Sequence, residues 1–171
     1  MNKSTANIVQ SALIASLYVV LTYISNVFGL ANGVVQIRLS EALTILPIFT
    51  PSAIPGLFLG CIISSILTNC AIYDVIFGSL ATLLGAYGTL LIKNLCQNKV
   101  NSKTVNILAT IPTIIANTLI IPWILAKVYN LEGSLLYFTV TIFISEAISA
   151  GIGGYFLAKA LESHKNQMGW K

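Results

Sequence analysis

Apolar runs separated by short polar punctuation make up almost the whole chain, and the length of each run predicts what it becomes. A helix that crosses a membrane needs about 20 predominantly apolar residues. The first run, Thr5 to Phe28, is long enough. Gly29 to Ile37 follows as a loop, with Gly29, Asn32 and Gly33 as breakers. There Val34, Gln36 and Arg38 alternate with Val35, Ile37 and Leu39, the period of a short extended segment. The second run, Ser40 to Phe49, is too short to cross unaided, and Pro47 and Pro51 bracket its end. It predicts a short, tilted or broken helix, which a bilayer tolerates only where the backbone is buried in protein or lines a cavity.

The third run covers Ser52 to Thr68, with Pro55 near its first turn, where proline is tolerated. After a polar turn, Asn69 to Asp74, the fourth runs from Val75 to Cys96. A hydrophilic loop marked by Lys93, Lys99 and Lys103 leads to the fifth, Val105 to Ala126, which contains Pro112 and Pro122. Lys127 and Glu132 lie in the next loop, and the sixth run extends from Leu135 to Leu161. The expected fold is all-α: a polytopic membrane protein, a compact bundle of about six transmembrane helices with a short or broken second helix. One integral membrane domain would occupy residues 1–171.

Composition strengthens this picture. Of the 171 residues, 56% are hydrophobic and 8% charged, with a mean hydropathy of +0.87. A soluble domain carries about 25% charged residues, so this chain could not cover its surface with polar groups. The first run is expected to be retained as a helix, because only Lys3 precedes it and no small-residue cleavage site stands out. The net charge of +4 does not imply nucleic acid, since the basic residues lie at span ends. Lys3, the Lys93–Lys103 loop and the tail carrying Lys159, Lys165 and Lys171 share one side. Positive-inside bias makes that side cytoplasmic, with both termini inside and the loops of Arg38, Asp74 and Glu132 at or near the outer face.

Small residues spaced four apart let helix backbones approach in lipid. Such pairs occur as Ser11 with Ala15 and Ala12 with Ser16, and again as Gly56, Gly60 and Ser64. Gly78, Ala81, Gly85 and Gly88 form a further stripe, and Ala150, Gly153 and Gly154 follow in the sixth run. Most of these stripes read as internal packing. The first-run stripe lies at one end of a small bundle and reads equally as a docking surface for a partner helix.

Glu146 sits in the middle of the apolar stretch Leu135 to Leu157. A carboxylate at membrane depth costs roughly 2.5–3.5 kcal/mol on insertion scales, so it should face the protein interior. There it either pairs with another buried polar group, such as Asn117, or meets a cationic or donor-rich ligand. Asn117, midway along the fifth run, either ties helices together or touches a ligand. Arg38 and Glu41 stand three apart at the start of the second run, as a local ion pair or as the lining of a ligand pocket. Asp74 either caps the fourth helix or faces a cavity. Trp123 and Tyr137 lie near outer span ends, as an interfacial aromatic belt or as rings stacked on a planar ligand. Cys61, Cys70 and Cys96 show no metal-ligand spacing and read as buried free thiols. The single histidine, His164, lies in the tail. No nucleotide-binding glycine loop, metal constellation or Ser–His–Asp set can be assembled. The chain is therefore expected to be no enzyme and to need no cofactor or metal. Any active transport must draw on an ion gradient or a partner.

Two segments carry a family resemblance. Ile37-Arg-Leu-Ser-Glu-Ala-Leu-Thr-Ile-Leu-Pro47 followed by Thr50-Pro-Ser-Ala-Ile-Pro-Gly56, and Asp74-Val-Ile-Phe-Gly-Ser-Leu-Ala-Thr-Leu-Leu84, resemble the signature of the QueT family. Its members are predicted queuosine-precursor transporters and are similar to substrate-binding (S) components of energy-coupling factor (ECF) transporters. The resemblance covers nearly the whole chain. It implies a subunit that binds a micronutrient near the outer face. It also implies docking on a membrane coupling subunit that carries two cytoplasmic ATPases. The docking pattern on the first helix would be Ser11/Ala15 and Ala12/Ser16, which departs from a strict pair of alanines. The implied ligand is a 7-deazaguanine, queuine or a precursor, whose guanine-like edge offers neighbouring N–H donors that a carboxylate accepts together. Glu146, Glu41, Asp74, Asn117, Arg38 and Gln36 would supply the complementary groups, with Trp123 or Tyr137 over the ring face. The rival readings are a self-sufficient ion-coupled secondary transporter and a non-transporting membrane scaffold.

Overall fold

A computed structural model describes residues 2–31, 35–96, 99–130 and 132–163. Asn32, Gly33 and Val34 of the first loop, and His164, Lys165 and Lys171 of the tail, lie outside the described residues. Four helices are long and apolar enough to cross a membrane: α1 (Lys3–Val27), α3 (Ile72–Cys96), α4 (Ser102–Lys127) and α5 (Leu135–Glu162). Two shorter apolar helices complete the six found among the described residues, a 3-10 helix (Leu39–Ile48) and α2 (Ala53–Leu67).

The 3-10 helix is the predicted second piece. Ten residues at about 2.0 Å rise give roughly 20 Å, short of the approximately 30 Å hydrocarbon core. Pro47 lies inside it, where its missing N–H and ring disfavour regular α-helix. From Ser40 to Thr50 every residue except Ala42 is buried, so this element is enclosed by the others. Leu43, Ile45, Leu46, Ile48 and Phe49 form the middle of the main apolar core, with Ile14, Tyr18, Leu57 and Cys61 around them. The third run is also shorter than a full span. Helix α2 covers 15 residues, about 22 Å at 1.5 Å rise, because Pro51 precedes it and Asn69, at φ 54°, turns the chain after it.

Consecutive helices pack as neighbours, and the 3-10 helix touches all of them. The small-residue stripes explain the close approaches. A Cβ on Gly56 would meet the Ser11 carbonyl oxygen at 2.6 Å, and one on Gly60 would meet Tyr18 Cβ at 2.8 Å. The stripe of α1 therefore divides. Ser11 and Ala15 face α2, with Ser11 Oγ donating to the Ser52 carbonyl at 2.7 Å. Ala12 and Ser16 remain exposed on the outer side of α1.

Helix α5 is not uniform. Ala147–Gly153 forms a π-helical stretch directly after Glu146. Its glycines let the helix press on the core, where a Cβ on Gly153 would stand 3.1 Å from that of Ala42. Widened turns of this kind are rare and recur at functional sites.

Candidate functional site

The site begins where α1 ends. Gly29, at φ 70°, terminates the helix. Its N–H donates to the Asn26 carbonyl and that of Leu30 to the Ser25 carbonyl, both at 2.9 Å. This is the Schellman pattern that a left-handed residue permits. The chain then folds back, with Ile37 N–H donating to the Leu30 carbonyl at 2.8 Å. Arg38 Nε donates to the Ala31 carbonyl at 3.0 Å. Its guanidinium is thereby held inward at the entrance to the 3-10 helix.

From there Arg38 pairs with Asp74 of α3, Nη2 to Oδ2 at 3.8 Å. Of the two readings of Arg38 and Glu41, the local ion pair is not the one formed: Arg38 spends its guanidinium on a partner from another helix. Asp74 is also not an N-cap. Helix α3 already starts at Ile72, so Asp74 stands inside the first turn. There it accepts from the Tyr129 hydroxyl at 3.3 Å. The same Tyr129 oxygen accepts from Ala71 N–H at 3.0 Å. Partial burial, reinforced by the neighbouring Asp74 carboxylate, pushes the Tyr129 phenol above its ordinary pKa, which keeps its proton available for donation.

Glu41 lies one 3-10 turn past Arg38 and is 2% exposed. Its Oε1 accepts from the Tyr18 hydroxyl of α1 at 2.5 Å. Asn117 of α4 is buried, as are Glu41 and Glu146, and the 3-10 helix that carries Glu41 packs on α4 and on the π-helical stretch that follows Glu146. Glu146 is 7% exposed, so it faces the interior and not lipid. The structure therefore brings Arg38, Glu41, Asp74, Asn117 and Glu146 together from four elements that are distant in sequence. Gln36 is buried just ahead of them.

Trp123 and Tyr137 do not join this cluster. They are 56% and 51% exposed, and Trp123 lines an outward groove of about 360 Å³ with Tyr73, Phe77 and Lys127. Their position is that of a lipid-facing aromatic surface, and the aromatic ring inside the cluster is Tyr18. Sequence reasoning passed over Tyr18 and Tyr129. The signal for Tyr18 was present as a polar stripe in an apolar span, since Tyr18, Thr22 and Ser25 fall on one helical face.

The chemistry of the cluster is acceptor-rich. Glu41 Oε2, Glu146 Oε2 and Asp74 Oδ1 are buried without a hydrogen-bond partner. An unsatisfied buried polar atom costs about 1–3 kcal/mol, more when charged. Three carboxyl groups stand against the single guanidinium of Arg38 in this group. Such a set is complementary to a molecule rich in N–H donors. Cys61, Cys70 and Cys96 form no disulfide among the described residues; Cys61 is buried as expected, whereas Cys70 and Cys96 are partly exposed.

The sequence pattern of the family described as QueT transporter matches residues 8–163. Over 85 residues the chain is 39% identical to "Queuosine precursor transporter QueT" of Lactococcus lactis subsp. cremoris (strain MG1363). That stretch is 49% of this chain and 50% of the relative, so the match spans half of the relative's length. No solved structure matches the chain. With the family pattern running from the first turns of α1 to the end of α5, the chain is a multi-pass membrane protein and belongs to the QueT transporter family.

Proposed function

We propose that this chain is the substrate-binding membrane subunit of an ECF-type ATP-driven importer, and that it captures a queuosine precursor of the 7-deazaguanine class. The observation that carries the reading is the meeting of Glu41 and Glu146 inside the bundle, each with an unpartnered carboxyl oxygen. A guanine-like edge presents two adjacent N–H groups to one carboxylate, and an aminomethyl substituent presents a cation to the other. Asn117 would serve the ring carbonyl or hold the two carboxylates apart. Arg38, balanced by Asp74, would lend a donor from the rim. The 7-deazaguanine assignment also draws on family membership and on the name of the Lactococcus relative.

The cluster lies toward the end where α1 stops, α3 starts and α4 stops. Lys3, Lys99 and Lys103 lie at the other end, so positive-inside bias makes the cluster's end the outer one. Both termini are then cytoplasmic, and the ligand enters from outside. The chain itself does no chemistry. Its exposed Ala12 and Ser16 offer a flat strip on α1 to a coupling subunit that carries two ATPases. The Ser11/Ala15 half of the pattern is occupied by α2 and supports that strip from behind.

Titration of the purified chain with queuine, aminomethyl-7-deazaguanine, guanine, riboflavin, thiamine and biotin tests the reading. Saturable binding of a deazaguanine, without ATP, is the expected result. Response to none of the deazaguanines would overturn the ligand assignment. Uptake by the chain alone in liposomes, driven by an ion gradient, would overturn the assignment to an ATP-driven system.

A further inference from the structure

Three side chains on one face of α1 hold the entrance of the 3-10 helix. Tyr18 Oη donates to Glu41 Oε1 at 2.5 Å. Thr22 Oγ1 donates to Ser40 Oγ at 2.7 Å. Ser25 Oγ accepts from the Leu39 N–H at 2.9 Å. Positions 18, 22 and 25 are spaced by four and three, so they stack along one helical face. They meet residues 41, 40 and 39 in turn. The lower two contacts fix the short helix itself, through a hydroxyl and a backbone amide. The upper one fixes only the end of a side chain.

That distinction matters because Glu41 has three rotatable side-chain bonds, and its carboxyl is left with one committed and one free oxygen. Oε1 is taken by Tyr18, and Oε2 is buried with no partner. Tyr18 is itself tightly enclosed. It has no exposed surface, and its Cβ lies where Gly60 of α2 leaves room for nothing larger than hydrogen. An enclosed phenol that binds one carboxyl oxygen restricts where the other can point.

We infer that Tyr18 is a positioning residue for ligand recognition: it takes up Glu41 Oε1 and so aims Oε2 at the ligand's N–H donors. The inference rests on the reading of Glu41 as a ligand-binding group. It adds a residue from α1, the helix whose opposite face carries the exposed Ala12 and Ser16. A group that orders the site thus shares a single helix with the proposed docking strip.

Tyr18→Phe removes the hydroxyl and keeps the ring, while Thr22 and Ser25 still hold the short helix. Binding of aminomethyl-7-deazaguanine to the full chain is expected to weaken about tenfold, the usual consequence of losing a hydrogen bond to a charged group. In a Glu41→Gln background the same substitution should cost little more, because its effect runs through Glu41. An equal loss in both backgrounds, or no loss in either, would overturn the inference. A ligand-free measurement separates this from the functional reading. The infrared carboxyl bands that disappear in Glu41→Gln should shift in Tyr18→Phe. Unmoved bands overturn the positioning role even if the ligand binds. If the wild-type chain binds no deazaguanine, the functional reading fails by itself, and the band shift alone decides whether Tyr18 holds Glu41.

Discussion

Arg38 and Asp74 form a charge pair at 3.8 Å with both side chains less than one tenth exposed. The pair joins the first loop to the start of α3. Pairs of this kind contribute little net stability, because desolvation offsets attraction, but removing one member strands a buried charge at about 3–5 kcal/mol. Arg38→Met or Asp74→Leu alone should therefore lower the unfolding temperature markedly in detergent. The double substitution should recover most of the loss. If the double variant is as unstable as the sum of the singles, the pair is not what ties these segments together.

Much of the fold was readable because lipid imposes strict length rules, and helix boundaries match the apolar runs to within a few residues. The buried short piece was marked by Pro47 and Pro51. Glu146 and Asn117 were visible as polar residues within apolar spans. What the sequence concealed was partner choice. Arg38 and Glu41 are three apart and looked like each other's partners, yet their partners come from α3 and α1. Tyr18 was hidden because a tyrosine in an apolar helix looks like bulk until its hydroxyl's neighbour is known. The division of the α1 stripe was hidden too, since spacing alone does not show which small residues α2 covers.

That division gives a second prediction. Ala15 backs onto Gly60, whose added Cβ would lie 3.2 Å from Ala15 Cα. Ala15→Leu should overpack the α1–α2 contact and destabilise the chain by about 1–3 kcal/mol. Ala12→Leu and Ser16→Leu should leave folding and ligand affinity unchanged, because both positions are exposed. Those two variants should lose co-purification with coupling and ATPase subunits. Full retention of the partners would remove this strip from the docking surface.

Glycine positions separate tight approach from spare room. Gly56→Ala would put a methyl carbon 2.6 Å from the Ser11 carbonyl oxygen, a backbone atom that moves only with α1. Gly78→Ala would meet nothing nearer than Asp74 Oδ1 at 3.6 Å. The first should lower thermal stability. The second should be neutral or stabilise by about 0.5–1 kcal/mol, as expected for alanine over glycine in a helix. Reversal of this order in thermal melts would contradict the packing of α1 on α2.

Trp123 offers a control for the site's boundary. Its ring is outside the polar cluster, in the groove with Tyr73, Phe77 and Lys127. Trp123→Ala and Tyr137→Ala should leave deazaguanine affinity within about twofold of wild type, while Glu41→Gln should not. A large loss in either aromatic variant would place a ligand-stacking ring on the outer surface.

Glu146 carries the prediction with opposite signs. It stands at the head of the π-helical stretch that packs on the 3-10 helix of Glu41, and an oxygen of each carboxyl is unpartnered and buried. Two carboxyl groups in a poorly solvated interior oppose each other's ionisation, and burying each without full hydrogen bonding is itself unfavourable. Glu146→Gln keeps the shape and removes an ionisable group from this unfavourable setting, so the ligand-free protein should become more thermostable. The same change removes an acceptor that a donor-rich ligand needs, and affinity should fall at least about tenfold. Sites kept for binding often sit below the stability optimum in this way. A binding titration and a ligand-free melt on the same preparation read both signs. Loss of stability together with unchanged affinity would make Glu146 a structural tie between α4 and α5. Gain of stability with loss of affinity is the outcome that a ligand-recognising carboxyl pair requires.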